Sequence, residues 1–536
     1  MFDTEDDSRE LLAAGRSGLD KRVTQIAALA PDGRRFHNRG HREEFLRWLQ
    51  EQRRRGVRRW FAHNLAYDLG NLFRDELDGL SGVMVGGRLI SARRQGLLFQ
   101  DSWNLLPVSV AKLGEQLGLK KLDFDARSRA YVFRDCEIVR AGLAKLESLS
   151  LRLGGPELPG TLGGLCVKLW QARGGRNEPD STPERREAIC GGRVELFRPS
   201  AEGPLAWTDI NSLYPSVMLQ DFPGPLTPCR EVPEMGLVRA TVEVPRQVLA
   251  PLPWRAPEGA LPGVEAGALL FPCGKFSGLW TAAELRQAMD RHGVKLIRLT
   301  AAWGAKTSRP CYRDFMLEIY RRRIRVRTEA DSLVLKLLMN NLYGQLGMKG
   351  LIYRFSDSER AKLRLLRGEV AGCLFGRAIA YECALPLPEH VNYVHAAHVT
   401  AFGRMRLLEF LRAVPADDLL YCDTDSIFFR AGATLPFPVG HGLGAMKLVA
   451  RGRGFEAVGP KLYRWQDEAG AWSAKAKGVP RRLAEQFMAQ HQASYDAPYK
   501  LREAIRFYDA PAARRRPLSV WRRVTKELRA GYRKKN

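Results

Sequence analysis

Two short apolar runs that each end in aspartate constrain this chain more than its overall composition does. Ala206-Trp207-Thr208 leads into Asp209, and Leu419-Leu420-Tyr421 leads to Asp423 and Asp425. Aromatic and β-prone residues in such runs predict strands that stop at a site. Side chains alternate along a strand, so Asp423 and Asp425 are expected on one face, with Cys422 and Thr424 on the other. Asp209 would meet them from a neighbouring strand. Like charges this close are costly unless cations lie among them. Two divalent ions about 3.5–4 Å apart are the usual solution for in-line displacement at phosphorus. The alternative makes these aspartates ordinary hairpin-turn residues, a common place for Asp and Asn.

A third segment, Lys336-Leu-Leu-Met-Asn-Asn-Leu-Tyr-Gly344, favours the site. Lys336, Asn340, Tyr343 and Gly344 fall at i, i+4, i+7 and i+8, one stripe of a helix. A lysine suits a triphosphate, Tyr343 offers a stacking face to a base pair, and Gly344 lets a nucleic acid come close. The helix is expected to be long and cationic at its start. The preceding run Tyr320-Arg-Arg-Arg-Ile-Arg-Val-Arg327 is either a set of phosphate contacts or a solvated helix face. Together the three segments read as a nucleotidyl transferase site.

Composition agrees. A chain of 536 residues should divide into several domains, and a formal charge of +26 implies an anionic partner, most simply nucleic acid. No apolar run approaches the roughly 18 residues of a membrane span, and the acidic start does not resemble a secretory signal, so a cytoplasmic protein with no membrane partner is expected. The nine cysteines form no Cys-x-x-Cys pair, which argues against a disulfide framework or a zinc knuckle.

In the order of these segments the chain resembles the family B DNA polymerases, and more closely their protein-primed branch of phages, adenoviruses and linear plasmids. The resemblance runs over nearly the whole chain. It implies an α/β multidomain fold, an RNase H-like exonuclease domain followed by a right-hand polymerase with palm, fingers and thumb. It implies Asp209 and Asp425 as principal metal ligands, Asp423 as a third, and two Mg2+ (or Mn2+) ions per active site. DNA template, primer and dNTPs would be the partners, with a terminal protein as candidate primer. Tyr214 would lie under the deoxyribose as a gate against a 2′-hydroxyl. Lys336 would hold the triphosphate, with Asn340 and Tyr343 lining the nascent base pair. Ser212 and Gly344 would approach DNA. Thr400-Ala-Phe-Gly-Arg404 is similar to the template and primer contact motif, Lys461-Leu-Tyr463 to the Lys-x-Tyr primer-terminus motif, and Lys475-Ala-Lys-Gly478 to a DNA-binding lysine segment.

The first part of the chain carries a second constellation: Asp3-Thr-Glu5, Phe61-Ala-His-Asn64-Leu-Ala-Tyr67-Asp68 and Tyr131-Val-Phe-Arg-Asp135. Asp3 and Glu5 share a strand face, and Tyr131 and Asp135 share a helix face at i, i+4, so four carboxylates with Asp68 can bind two metals. The segments resemble the three exonuclease motifs of proofreading polymerases. By that resemblance Tyr131 orients the attacking water, Asn64 and Tyr67 grip the frayed primer end, and Ser102 contacts single strand. Lys121, followed by Phe124, resembles the lysine of a further exonuclease motif, with Lys120 an equal occupant. Asp3 lies two residues from the start, where the family has a full strand, so the founding strand is expected to be truncated and Asp3 and Glu5 poorly fixed. The alternative is an acidic tail, Asp3 to Asp7, without chemistry.

The expected organisation is an exonuclease domain over 1–180, a first palm segment over 186–230, an insertion resembling a terminal-protein-binding region over 231–305, fingers over 306–350, a second insertion over 351–395, a second palm segment over 396–470, and a thumb with a basic tail over 471–536. Ile189-Cys-Gly-Gly-Arg193 resembles the Tyr-x-Gly-Gly linker between nuclease and polymerase, with Ile189 where tyrosine is usual and Gly191 and Gly192 retained. Ser356-Asp-Ser-Glu359 is a capping-box pattern that predicts a basic helix to Arg367, where the relatives carry a β-hairpin. The expected function is a DNA-directed DNA polymerase with 3′–5′ proofreading exonuclease, serving a phage or mobile element by protein-primed replication. A primer-independent or repair polymerase is the alternative among enzymes. A non-catalytic DNA-binding descendant is the alternative outside them, and three retained polymerase carboxylates disfavour it.

Overall fold

The computed structural model of the protein describes residues 1–7, 22–73, 79–85, 88–125, 128–261, 264, 266–356, 372–374, 378–384, 386–432, 434–480, 483–498 and 521–527. Alternation of side chains sets the first strand, Phe2–Asp6: Phe2, Thr4 and Asp6 are buried, while Asp3 and Glu5 leave the other face. It pairs antiparallel with Val23–Leu29, Phe2 opposite Ala28 and Glu5 opposite Gln25. Phe2 packs against Phe45 and Phe99, and full burial of such a ring is worth about 1.5–3 kcal/mol. The expectation of a poorly fixed strand is therefore corrected. Pairing along its whole length and an aromatic anchor at its first residue hold Asp3 and Glu5.

Beside it a seven-stranded sheet runs in the order Gly372–Leu374, Ala378–Ala384, Leu351–Ser356, Ser81–Val85, Arg88–Arg94, Leu97–Asp101, Arg59–Ala62. The last pair is parallel and sets Ala62 opposite Asp101. The strand Leu351–Ser356 joins this sheet through Ser81–Val85, with Tyr353 opposite Met84. The second insertion thus contributes β-structure, because Leu351–Ser356 also pairs antiparallel with Ala378–Ala384. The helix expected from Ser356 to Arg367 falls on 357–367, outside the described residues, and Ser356 itself ends a strand.

The second seven-stranded sheet runs Trp472–Ala476, Leu462–Asp467, Met446–Gly459, Ser200–Ile210, Ser426–Arg430, Leu419–Asp423, Val194–Leu196. Tyr421, Phe428, Phe455, Tyr463 and Trp465 form an aromatic core on one face, and Cys422 and Ile427 belong to the largest apolar core on the other. A separate four-stranded sheet follows in the order Leu226–Cys229, Lys295–Ala305, Gly236–Val244, Gly274–Thr281, covered by the helix Ala282–His292. Val238, Val242, Leu252, Trp280 and Leu285 form its separate core.

Two helices follow, Arg313–Arg325 and Glu329–Leu346. The arginine run belongs to the first as far as Arg325, with Val326 and Arg327 in the link to the second. The second begins with Glu329 and Asp331, and the Thr328 hydroxyl accepts from Asp331 N at 3.2 Å. Its start is acidic, contrary to the cationic one expected, which suits the positive end of a helix dipole. Among the described residues no helix is long and apolar enough to cross a membrane.

Candidate active site

Asp209 lies in the central strand Ser200–Ile210, directly opposite Ser426 on one neighbour and Lys447 on the other. Asp423 ends its strand and pairs with Ser426, so Thr424 and Asp425 form a two-residue hairpin turn. Thr424 has φ +64°, as tight hairpin turns prefer. The expected alternation of Asp423 and Asp425 on one strand is corrected, since Asp425 sits in the turn. Site and turn prove to be the same element. The turn is pinned by Thr424 N donating to Arg193 O and Ile210 N donating to Asp425 O, both at 2.7 Å. Gly192 must be glycine for this approach, because a Cβ there would lie 2.7 Å from Thr424 Cγ2.

The three carboxylates converge. Burial, then the charges of Asp209 and Asp423, push the Asp425 carboxyl up to about 6. Lysines hold the other two: Lys461 Nζ donates to both oxygens of Asp423 at 2.7 and 2.9 Å, and Lys447 Nζ lies 2.8 Å from Asp209 Oδ2. Lys447 was not singled out from sequence, and only the strand register reveals it. Among the described residues no group of three or more His, Cys, Asp or Glu side chains is assembled to hold a metal ion. Magnesium takes one or two carboxylates from a protein and completes its shell with water and substrate phosphate, and this donor set fits that habit.

Over these acids stands the helix stripe. Lys336, Asn340 and Gly344 are exposed and Tyr343 is half-buried. The Tyr343 ring lies 4.5 Å from that of Tyr214, which the short helix Leu213–Val217 carries just past Asp209. Burial and then Arg323 and Lys447 lower the Lys336 ammonium pKa, with Asp209 opposing. Ser212 caps the short helix with φ +50°. Gly403 makes room for Tyr214, since a Cβ there would meet its Cε1 at 3.0 Å.

Three expected DNA contacts lie inside instead. Thr400, Arg404 and Tyr463 are buried. The Thr400 hydroxyl donates to Ala397 O at 3.0 Å. Tyr463 packs on Tyr421 and Phe428. Arg404 makes a two-pronged ion pair with Glu284, at 2.8 and 2.7 Å, both side chains 3% exposed. Hydrophobic spacing on a helix face does not reveal an arginine turned inward to a distant acid. Lys475 is exposed, its Nζ 5.8 Å from the Tyr463 ring. Gly191 has φ +93°.

The second constellation also assembles. Asp68 is buried; its Oδ1 accepts from Thr4 N at 2.9 Å and from Thr4 Oγ1 at 2.8 Å, while its Oδ2 and Asp135 Oδ1 are buried with no hydrogen-bond partner. Burial, then Asp68, Glu5 and Asp135, raise the Asp3 carboxyl well above its usual range. Lys121 Nζ bridges Tyr131 Oη, at 3.0 Å, and Asp135, so Lys121 rather than Lys120 faces these groups. Crowded acids with unpartnered buried oxygens fit a divalent cation. Asn64 is exposed at φ +84°, its N donating to Asp101 Oδ1 at 3.0 Å. Tyr67 is half-buried. Ser102 is wholly buried, bonded to Ala62 O at 2.9 Å and His63 Nδ1 at 3.0 Å. Its hydroxyl is thus turned from any strand. His63, unremarked in the sequence, also reaches Val108 O at 3.0 Å, and burial lowers its pKa to about 4.

A family model, DNA polymerase type B, organellar and viral, matches residues 183–372. The DNA-directed DNA polymerase of Enterobacteria phage PRD1 is 26% identical over 451 residues, covering 78% of this chain and 75% of that protein. A probable DNA polymerase of Ascobolus immersus is 27% identical over 297 residues, 52% of this chain and 24% of its own. The structure of phi29 DNA polymerase matches 99% of both chains with a TM-score of 0.72 at 15% identity. Its complex with primer-template DNA and incoming nucleotides matches 98% of both chains at 0.72 and 14%. The fold is therefore an RNase H-like domain followed by a right-hand polymerase of palm, fingers and thumb. Within that class the chain is similar, over residues 183–372, to the type B DNA polymerases of the organellar and viral kind.

Proposed function

We propose that the protein is a DNA-directed DNA polymerase that starts strands on a protein primer and carries a 3′–5′ proofreading exonuclease. The observation that carries the reading is the convergence of Asp209, Asp423 and Asp425 beneath the exposed face of Lys336 and Asn340, with Tyr214 against Tyr343. In polymerisation the primer's 3′-oxygen attacks the α-phosphorus, a P–O bond forms, the bond to the bridging oxygen breaks, and pyrophosphate leaves. Lys336 balances charge on the leaving phosphates. Tyr214 closes the space beneath the sugar. Two divalent ions, Mg2+ or Mn2+, held by Asp209, Asp423 and Asp425, would neutralise the attacking and departing oxygens. Lys447 and Lys461 are paired with Asp209 and Asp423.

In the nuclease site, Asp3, Glu5, Asp68 and Asp135 would hold the equivalent ions, and the partnerless Asp68 Oδ2 and Asp135 Oδ1 support that role. Tyr131 with Lys121 orients the water, while Asn64 and Tyr67 face the strand end. The separately cored insertion over 231–305 supports a docking platform for a terminal protein, whose hydroxyl would replace the primer's. The test is primer extension with and without dNTPs. Asp209→Ala should abolish incorporation and leave DNA binding and single-strand degradation in place. Full-length product from that variant would remove the mechanism.

A further inference from the structure

Three arginines tie the 231–305 insertion to the linker that runs beneath the aspartate turn. Arg404, on the helix Tyr393–Ala413, pairs with Glu284 at the start of the insertion's helix and donates a third hydrogen bond to Gly191 O at 2.5 Å. From the insertion, Arg255 donates to Ile189 O at 3.1 Å and Cys190 O at 2.9 Å. From the linker, Arg193 donates to the insertion's Ala250 O at 2.9 Å and lies 4.3 Å from the Phe271 ring. The carbonyl of that same Arg193 receives Thr424 N at 2.7 Å. One hydrogen bond therefore separates the strapped linker from the turn that bears Asp425.

We propose that Glu284 and Arg404 are positioning residues for polymerisation: through Gly191 they fix the linker, and the linker fixes the turn that aims Asp425. The proposal rests on the polymerase reading above. It assigns Arg404 no contact with DNA, and it makes the insertion a strut of the active site as well as a platform. The physical warrant is the fork geometry of guanidinium. It serves Glu284 with two N–H groups and the carbonyl with a third, whereas an ammonium at that position keeps the charge pair and cannot hold both partners in the same planar arrangement. A displacement of about 1 Å at a reacting group can lower a rate roughly 100-fold.

Arg404→Lys in the full chain separates the possibilities. At saturating primer-template and dNTP, kcat should fall roughly 10- to 100-fold while affinity for primer-template and the melting temperature stay near wild type. Amide hydrogen exchange at Thr424 and Ile210 should rise. Unchanged exchange at those amides overturns the proposal whatever the activity, and so does weakened DNA binding with kcat intact, which would make Arg404 a DNA contact. Should Arg404→Lys fail to fold, Arg255→Met, at an exposed side chain, tests the same linker from the insertion side and should show a smaller change of the same sign. Wild-type protein that extends no primer would sink the polymerase reading but leave the exchange measurement standing.

Discussion

Asp425 is held in a charge state that its neighbours dictate. Its carboxyl is pushed from the ordinary 3.8 to about 6 by burial and by Asp209 and Asp423. Between those values the folded chain binds the extra proton and the unfolded chain does not. Raising pH through that window therefore lowers the stability of the metal-free protein. Asp425→Asn should accordingly stabilise the protein in chelator at pH 7.5 by about 1–2 kcal/mol, and this gain should vanish near pH 4. Chemical denaturation at both pH values measures it, and equal gain at both would exclude the linkage. The same variant should incorporate no nucleotide. Tyr214 offers a second prediction at this scale. It is fixed from two sides, by the Tyr343 ring and by the space that Gly403 leaves. Tyr214→Val should therefore reduce discrimination of dATP over ATP by roughly 100-fold, the order available to one hydroxyl-sensing contact. Unaltered discrimination would reduce the ring to packing.

At the scale of elements, the finger helix presents a lysine whose pKa is already lowered by burial and by Arg323 and Lys447. Lys336→Ala should raise KM for dNTP about tenfold, near 1.4 kcal/mol, and steady-state kinetics decides. The strand Phe2–Asp6 and the helix Arg129–Arg152 of the proposed nuclease site predict the converse split: Asp68→Ala should end single-strand degradation with Mg2+ or Mn2+ while primer extension continues, and residual degradation at the wild-type rate would exclude Asp68 from that site. These elements were legible because local period determines them. Alternation set Asp3 with Glu5, the i, i+4 step set Tyr131 with Asp135, and the long stripe set Lys336 with Asn340 and Tyr343. What could not be read were partners chosen by register or by a distant helix. Lys447 opposes Asp209 only through strand pairing, Thr4 reaches Asp68 from 64 positions away, and Glu284 reaches Arg404 from 120. Turn geometry was also hidden, since the run through Asp423 and Asp425 suits a strand as well as a hairpin.

At the scale of the whole molecule, a formal charge of +26 predicts that affinity for primer-template falls steeply with salt, by a slope set by the phosphates neutralised. A flat dependence would place the charge away from DNA. The strap between insertion and linker gives a further expectation: deleting residues 245–272 would remove Ala250, Arg255 and Phe271 together, so extension of an annealed primer should suffer. The seven-stranded sheet beside the first strand carries a different kind of dependency. Its strand Ser81–Val85 is flanked on one side by Arg88–Arg94 and on the other by Leu351–Ser356, a segment more than two hundred positions along the chain. Excising the second insertion would therefore uncover a row of unpaired backbone donors and acceptors on a domain remote in sequence. Such a row is a template for another chain. The shortened protein should self-associate, visible as a concentration-dependent rise in scattering mass, so that a cut made in one half of the chain would be felt first as loss of solubility in the other.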